Sequence, residues 1–198
     1  MTHHHTHRGT YMPARVDAFR PADLTAEQRE LYDRLLDSAR ATGSRPFPLA
    51  DEEGRLRGPF NGMLLSPELG NALQELGTVV RYGTGFTPRQ KELAILAVAA
   101  HERSEYEWAV HSHAGLKVGL TEEQIAAVRA GADCRLDDPL EATVLAAARE
   151  LAASGDLTDD SFTEATGTLG LTRLYELVTL VGYYRMVADQ LRVLRVTD

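Results

Sequence analysis

The sequence has very little cysteine and no long hydrophobic run. Cys134 is the single cysteine among 198 residues, which excludes an intramolecular disulfide and a two-thiol redox centre within the chain. No apolar run approaches the length of a membrane span, and the first residues have no hydrophobic stretch of the signal-peptide kind. We therefore predict a cytoplasmic protein with no membrane association. Cys134 lies in a predicted loop far from any histidine in sequence, and we interpret it as an inert thiol.

Basic residues are also scarce. The chain has 21 Lys and Arg against 29 Asp and Glu, a net charge of −8, whereas proteins that grip the nucleic-acid backbone carry basic patches. We expect no nucleic-acid partner. The length and the hydrophobic content of 43% suit one globular domain with a real core,. We predict that this domain spans residues 13–198 and follows a disordered, histidine-rich tail at residues 1–12.

Two-residue alternation of apolar and polar residues is missing too, so no strand is predicted. Helix start and stop signals recur instead, and the sequence predicts an all-α fold of about eight helices. The predicted helices run approximately from Thr25 to Thr42, Ser66 to Tyr82, Thr87 to Arg103, Ser104 to Gly119, Thr121 to Gly131, Asp138 to Gly155, Thr158 to Gly170 and Thr172 to Val193. Residues 43–65 are rich in glycine and proline, and this long stretch is either a binding loop or a segment packed across the core.

Three proton-handling residues stand out on two consecutive predicted helices. Glu107 and His111 are four residues apart, so they share one helix face and can meet the same small molecule. Glu92 lies in the preceding helix, which is apolar almost all the way round and is therefore predicted to be buried. A carboxylate in such a helix should be paired or have a perturbed pKa, as functional groups often do. Glu92, Glu107 and His111 are the candidate catalytic residues.

Each of these residues also has a structural interpretation. Ser104 and Glu107 have the spacing of a capping box, and His111 is also typical of an ordinary core or surface histidine. All three candidates are acceptable ligands for a divalent metal, although no H-x-x-x-H or H-E-x-x-H spacing includes them. We expect neither a metal nor an organic cofactor.

The neighbouring side chains have simpler predicted roles. We expect His101 to interact with the C-terminal dipole of its helix, His113 to face solvent, and Tyr106 and Trp108 to be packing residues. The chain has no glycine-rich phosphate loop after a strand and no G-x-S-x-G nucleophile motif, so neither a bound nucleotide nor a serine nucleophile is indicated.

Two stretches resemble the carboxymuconolactone decarboxylase family, whose superfamily also contains the alkylhydroperoxidase D-type proteins. One begins Thr87-Pro-Arg-Gln-Lys-Glu-Leu-Ala-Ile-Leu, and the other runs from Glu105-Tyr-Glu-Trp-Ala-Val-His to Leu120. The similarity is good over residues 60–133, and its most specific motif is E-W-x-x-H with Gly119 eight residues after the histidine. The resemblance implies a compact helical fold and a homo-oligomer, commonly a trimer or hexamer, with sites near subunit interfaces.

The chain combines features of two branches of that superfamily. In the peroxidase branch a C-x-x-C pair precedes the motif histidine, and here those positions are Ser104 and Glu107. The histidine of that branch and the upstream glutamate that assists proton transfer match His111 and Glu92. The decarboxylase branch resembles this chain in having a glutamate four residues before the histidine, but it lacks an equivalent of Glu92. The resemblance thus implies acid–base groups without the thiol pair.

We therefore predict a cofactor-independent lyase or isomerase that acts on a small carboxylated lactone, enol or related carbonyl compound. His111 would donate and accept the proton, Glu92 would orient its ring, and Glu107 would steer or shuttle a second proton. Two alternatives stay open. The chain is a non-catalytic helical binding or oligomeric protein, or it is a peroxidase that lacks the C-x-x-C pair and needs an external thiol, metal or haem.

The last predicted helix favours self-association. After Thr172 it carries an apolar stripe that is broader than one core-facing side requires. The stripe comprises Leu174, Leu177, Val178, Val181, Tyr184, Val187, Ala188 and Leu191, widened by Leu180, Tyr183, Met186 and Leu194. We expect part of this surface to contact a second copy of the chain.

Overall fold

The computed structural model describes residues 14–38 and 45–195. The predicted disordered tail at residues 1–12 and the predicted helix end at Thr42 lie outside these residues. The described part of the chain contains nine α-helices and no strand, so the all-α prediction is confirmed. The helices are α1 (Ala26–Leu36), α2 (Pro59–Met63), α3 (Pro67–Thr78), α4 (Pro88–Glu102), α5 (Glu105–Lys117), α6 (Glu122–Ala130), α7 (Pro139–Ser154), α8 (Asp159–Leu169) and α9 (Leu171–Leu194).

Most helix starts follow from local hydrogen bonding. Thr25, Thr87 and Thr121 each accept a hydrogen bond from the backbone N–H of the glutamine three residues on, whose side chain accepts one in return. These reciprocal bonds satisfy N–H groups that the first turn leaves unpaired. The last helix begins at Leu171 rather than at the predicted Thr172, because Gly170 ends α8 at a φ of 79° and directly precedes α9.

Two regions are more structured than the sequence indicated. The irregular segment 43–65 contains the short helix α2 and an isolated bridge between Ala50 and Leu56. Helix α3 ends at Thr78 instead of the predicted Tyr82 and continues as a single π-helical turn over Val79–Gly83. Such turns are often found at functional sites.

Helix α4 is the centre of the main hydrophobic core. Its residues 90–99 are all buried, as the uniformly apolar pattern predicted, and it packs mainly against α5, α7 and α9. A smaller core joins α1 to residues 49–73, and Met186 of α9 contacts both cores. Leu49 and Leu56 are buried in the smaller core, so the segment that precedes α2 packs across the protein. None of the described helices is long and apolar enough to cross a membrane.

Candidate active site

The three predicted residues meet in the interior of the molecule. Helix α4 presents Glu92, while α5 presents Glu107 and His111 one turn apart. All three side chains are buried, with 4%, 4% and 5% of their surfaces exposed. The tight turn between the two helices, in which Arg103 adopts a left-handed φ of 53°, folds α5 back against α4. This packing brings Glu92 to the ring of His111.

His111 is held between two carboxylates. Its Nδ1 atom lies 2.7 Å from Oε2 of Glu92, and its Nε2 atom lies 3.2 Å from Oε2 of Glu107. A neutral imidazole has only one N–H, whereas the protonated ring donates from both nitrogens. Two acceptors on opposite edges of the ring therefore favour the imidazolium form.

The balance of charges supports the same conclusion. Burial is the largest influence and by itself lowers the pKa of His111, but the charge of Glu92 and the hydrogen bonds to Glu107 and Glu92 outweigh it and raise the pKa above its ordinary value. For Glu92 burial opposes ionisation, yet His111 and Arg81 together hold the pKa of this carboxyl below its usual range. An ion pair is thus stabilised in a buried place, where it is protected from water.

The capping interpretation of Glu107 is wrong. Ser104 makes no side-chain hydrogen bond at the start of α5, and its backbone N–H donates to the carbonyl of Ala99 at 3.0 Å instead. Glu107 therefore does not cap the helix, and its carboxylate contacts His111.

Arg81 is a member of this cluster that the sequence analysis missed. Its Nη2 atom donates to Oε1 of Glu92 at 3.1 Å, and its Nη1 atom donates to the hydroxyl of Tyr184 at 3.2 Å. The Tyr184 ring also meets His111 edge to face at 5.1 Å between centroids. Arg81 comes from the π-helical turn after α3, and the one available sequence signal was an arginine between apolar residues near a predicted helix end.

A cavity of about 100 Å³ lies against His111. Both His111 and Glu107 line it, whereas Glu92 does not and lies behind the ring. The remaining lining residues are Arg45, Pro59, Phe60, Arg81, Tyr82, Tyr106, Val110, Ala114, Tyr183, Tyr184 and Val187. The cavity therefore meets His111, Glu107 and Arg81, and Glu92 supports the ring from outside the cavity wall.

The segment before α2 closes one wall of this cavity. Arg45 donates from Nη2 to the hydroxyl of Tyr106 at 2.8 Å, and the rings of Phe47 and Tyr106 lie 5.6 Å apart. Tyr106, which we predicted to be a packing residue, is thus part of the cavity wall. Of the two roles left open for this segment, the structure shows packing across the core, and a binding role stays a prediction.

His101 and His113 do not line the cavity. His101 is exposed at the end of α4, in line with the predicted interaction with the helix dipole. His113 is partly buried, not fully solvent-facing as predicted. In residues 14–38 and 45–195 no group of three or more His, Cys, Asp or Glu side chains is arranged to hold a metal ion. At the candidate site the reason is geometric, because Glu92 and Glu107 contact opposite nitrogens of His111.

Cys134 does not line the cavity. It is partly buried, its Sγ lies 3.7 Å from the carbonyl of Gln124, and burial raises the pKa of the thiol. Both features fit the predicted inert thiol. Trp108 packs against the main core, with the Arg129 guanidinium 4.7 Å from its ring centre, as expected of a packing residue.

Comparison with known proteins finds a family match over part of the chain and a similar fold over most of it. Residues 67–150 match the carboxymuconolactone decarboxylase family. A peroxidase-related protein with an alkylhydroperoxidase AhpD core from Ralstonia eutropha JMP134 is 15% identical with a TM-score of 0.68, and the match covers 93% of each chain. A peroxidase-related protein from Silicibacter sp. TM1040 is 10% identical with a TM-score of 0.71, covering 93% of this chain and 91% of that one.

A third similar structure is the debrominase Bmp8, as a cysteine-to-alanine variant in complex with 2,3,4-tribromopyrrole. It is 11% identical with a TM-score of 0.66, and the match covers 91% of this chain and 89% of that one. At these identities the three structures establish a shared helical fold. A comparison with curated proteins found no match.

Proposed function

We propose that this chain is a cofactor-independent lyase or isomerase. Its substrate class is a small carboxylated lactone, enol or related carbonyl compound. The proposal is supported by the match of residues 67–150 to the carboxymuconolactone decarboxylase family and by a helical fold similar to that of a protein with an alkylhydroperoxidase AhpD core. One observation carries the proposal: an imidazole held between two carboxylates lines a cavity. A positioned acid–base group of this kind typically contributes about 10²–10⁴ in rate.

The chemistry needs a proton that can be given and taken back. In a decarboxylation the C–C bond to the carboxylate breaks, CO₂ leaves, and the electron pair moves into a conjugated carbonyl to give an enolate. The enolate carbon then takes a proton from His111 through the Nε2 edge, where Glu107 also faces the cavity. Water restores that proton after the product leaves. In an isomerisation the same pair removes a proton from one carbon and returns it to another.

Glu92 and Arg81 act on the ring, not on the substrate. The short contact between Glu92 Oε2 and His111 Nδ1 fixes the ring orientation and stabilises the imidazolium. Arg81 donates to the other oxygen of Glu92, which keeps that carboxylate ionised and restricts its rotation. Catalytic groups need a second layer of hydrogen bonds to hold them in place, and Glu92 and Arg81 provide this layer for His111.

The two alternatives have less support. A protein whose ancestral site had been lost would be expected to fill that space with side chains, whereas here charged groups line a cavity. A peroxidase of this superfamily uses the C-x-x-C pair, and this chain has Ser104 and Glu107 at those positions, with Cys134 outside the cavity wall. The debrominase complex adds that the same fold holds a small planar ring in a related protein.

Turnover tests the proposal. Metal-free protein should consume carboxymuconolactone, or a member of a panel of small carboxylated lactones and enol carboxylates, with CO₂ release or deuterium uptake from D₂O seen by ¹H NMR. His111→Gln and Glu107→Gln should each lower kcat by about 10²-fold or more, while His113→Gln, on the same helix but outside the cavity wall, should retain it. Full activity of His111→Gln refutes the assigned role. A panel with neither turnover nor exchange favours the non-catalytic alternative.

A further inference from the structure

Two buried polar atoms in the cavity wall have no hydrogen-bond partner among the described residues. They are Nε of Arg45 and the hydroxyl of Tyr183. The Tyr183 side chain is deeply buried, with 3% of its surface exposed. Buried polar atoms in folded proteins are nearly always hydrogen-bonded, so two unpaired donors at one cavity indicate where the oxygen atoms of a ligand lie.

Arg45 is held in position apart from this free atom. Its Nη2 atom donates to the hydroxyl of Tyr106 at 2.8 Å, and its guanidinium lies 5.4 Å from the ring centre of Phe60. The flat guanidinium is therefore already oriented before a ligand binds. A fixed guanidinium edge that includes Nε is suited to the planar oxygens of a carboxylate.

The charges around the cavity point to an anion. Its wall contains two guanidinium groups, from Arg45 and Arg81, and a single carboxylate, from Glu107, which contacts His111. Arg81 already donates to Glu92 and Tyr184, which leaves Arg45 as the cation available for a ligand. One additional negative charge brings this wall closer to neutrality.

The volume limits the size of the ligand. A protein cavity of about 150 Å³ holds one benzene molecule, and this cavity measures about 100 Å³. The enclosed part of a ligand is thus at most about one small ring.

We infer that Arg45 and Tyr183, which both line the cavity, bind the oxygen atoms of a carboxylate on a small compound whose enclosed part is at most one ring. The inference deepens the proposed function and rests on it in taking this cavity as the active site. Glu92, Glu107 and His111 lie inside the region that matches the family, residues 67–150, whereas Arg45 precedes it and Tyr183 follows it. The residues that bind the substrate therefore come from different regions of the sequence than the acid–base residues.

Binding of 2-furoate, a one-ring monocarboxylate, tests this inference without any turnover. Calorimetry should show that the full chain binds 2-furoate, and the Arg45 Nε–Hε signal in a ¹H–¹⁵N spectrum should shift as it does so. Arg45→Gln and Tyr183→Phe should each weaken binding by about 10- to 100-fold, the range for a hydrogen bond to a charged group. The uncharged 2-furamide should bind at least about 10-fold more weakly than 2-furoate for the same reason.

Arg57→Gln is the matched control. Nε of Arg57 is also buried and has no hydrogen-bond partner within residues 14–38 and 45–195, but Arg57 does not line the cavity, so this variant should bind 2-furoate like the wild type. Equal affinity of wild type, Arg45→Gln and Tyr183→Phe overturns the inference, as does a complete lack of 2-furoate binding. If Arg45→Gln fails to fold, Tyr183→Phe, which removes a single oxygen atom, decides the matter.

The same measurements separate this inference from the proposed function. His111→Gln should still bind 2-furoate, because it leaves Arg45 and Tyr183 in place. Binding at Arg45 and Tyr183 without turnover of any panel substrate contradicts the lyase or isomerase proposal alone. Turnover with a KM that is unchanged in both variants contradicts the assignment of Arg45 and Tyr183 alone.

Discussion

His111 obtains its chemical character from charged side chains on two other elements and on its own helix. Glu92 from α4, Glu107 from α5 and Arg81 from the π-helical turn all lie within 3.3 Å of it or of each other. The carboxylates stabilise the protonated ring, and Arg81 limits that effect by its own positive charge. His111 is therefore protonated more readily than a free histidine, and it lines a cavity where it can exchange its proton with a ligand.

This balance makes the stability of the protein depend on pH. The pKa of His111 is raised above 6.5 in the fold, so its contribution is complete below pH 6.5 and is lost as the pH rises through the folded pKa. The pKa of Glu92 is lowered from 4.5, so its contribution is present above pH 4.5 and is lost as the pH falls through the folded value. Both contributions are complete together between pH 4.5 and 6.5.

We predict that the stability difference between the wild type and His111→Gln shrinks as the pH rises above 6.5. Urea unfolding of both proteins at several values from pH 6 to 9 measures this difference directly. Subtracting the variant removes the effect of the other histidines. A difference that stays constant or grows over this range would show that the charged form of His111 does not stabilise the fold.

The site could be predicted from sequence only where its members are close in the chain. The spacing of Glu107 and His111 and the apolar surroundings of Glu92 indicated a shared buried site. Arg81 is 30 positions from His111 and 103 positions from Tyr184. Its placement depends on a π-helical turn that no local sequence pattern predicted. Long-range packing, not residue type, decides such contacts.

At the level of single helices, α4 and α5 differ in how their N-termini are capped. Thr87 forms a complete capping box with Gln90, whereas Ser104 forms no side-chain cap although its sequence spacing is the same. The difference arises because Glu107 bonds to His111 and is not available to reach back. A sequence motif for capping is thus overridden by a tertiary contact.

Two alanine variants test this contrast. Thr87→Ala should destabilise the protein by about 1 kcal/mol, the usual cost of a lost N-cap. Ser104→Ala should change the stability by less than about 0.5 kcal/mol, as expected at a site that makes no cap bond. Denaturant unfolding of the two variants beside the wild type gives both values. Equal losses would mean that Ser104 caps α5 after all.

The junction between the cavity-closing segment and α2 depends on Gly58. It has a φ of 58°, in the left-handed region, and a Cβ at this position would overlap the ring of Tyr106. Only glycine therefore lets the backbone approach the aromatic residue that anchors Arg45.

Gly58→Ala should cost about 2–5 kcal/mol, the sum of left-handed strain and overpacking, and should weaken 2-furoate binding by displacing Tyr106. Gly131→Ala is the control, because Gly131 has a similar φ of 65° but no atom within 4 Å of the added Cβ. It should cost about 1–2 kcal/mol and leave ligand binding unchanged. Thermal unfolding and calorimetry on both variants decide the point, and equal effects would show that contact with Tyr106 is unimportant.

For the molecule as a whole, the structure leaves fewer apolar residues available for self-association than the sequence analysis expected. Most of the broad apolar stripe of α9 is buried within the chain, so the helix is central, and its width alone does not indicate a partner. Exposed apolar side chains remain near its beginning: Leu171 is 69% exposed, Tyr175 is 76% exposed and Val178 is 45% exposed, with Phe162 of α8 beside them at a shared surface cavity. Homo-oligomerisation, which the family resemblance implies to be a trimer or hexamer, stays a prediction.

Sedimentation at micromolar concentration should show a multiple of the 21.8 kDa chain. Tyr175→Glu should shift the protein towards the monomer, because a charge replaces a large exposed apolar surface. Val193→Glu, at the other end of α9 and also exposed, should leave the assembly unchanged. A wild-type protein that sediments as a clean monomer would rule out the interface.

The overall helical order was largely readable from the sequence because helix starts depend on local signals. Threonine–glutamine pairs and prolines marked most of the starts correctly. The course of residues 45–58 was not readable, since it is determined by contacts with α1, α2 and α5 and by no periodic pattern. That segment supplies Arg45, so the sequence analysis did not identify this part of the cavity wall.

A ¹⁵N NMR titration of the His111 ring tests most directly whether this residue is the acid–base group of the cavity. We predict that both ring nitrogens remain protonated above pH 6.5, that Glu92→Gln lowers the pKa of His111, and that 2-furoate shifts the Nε2 signal because it binds beside that edge. A ring that is already neutral at pH 6.5, or signals that do not respond to Glu92→Gln and to 2-furoate, would contradict the central role of His111.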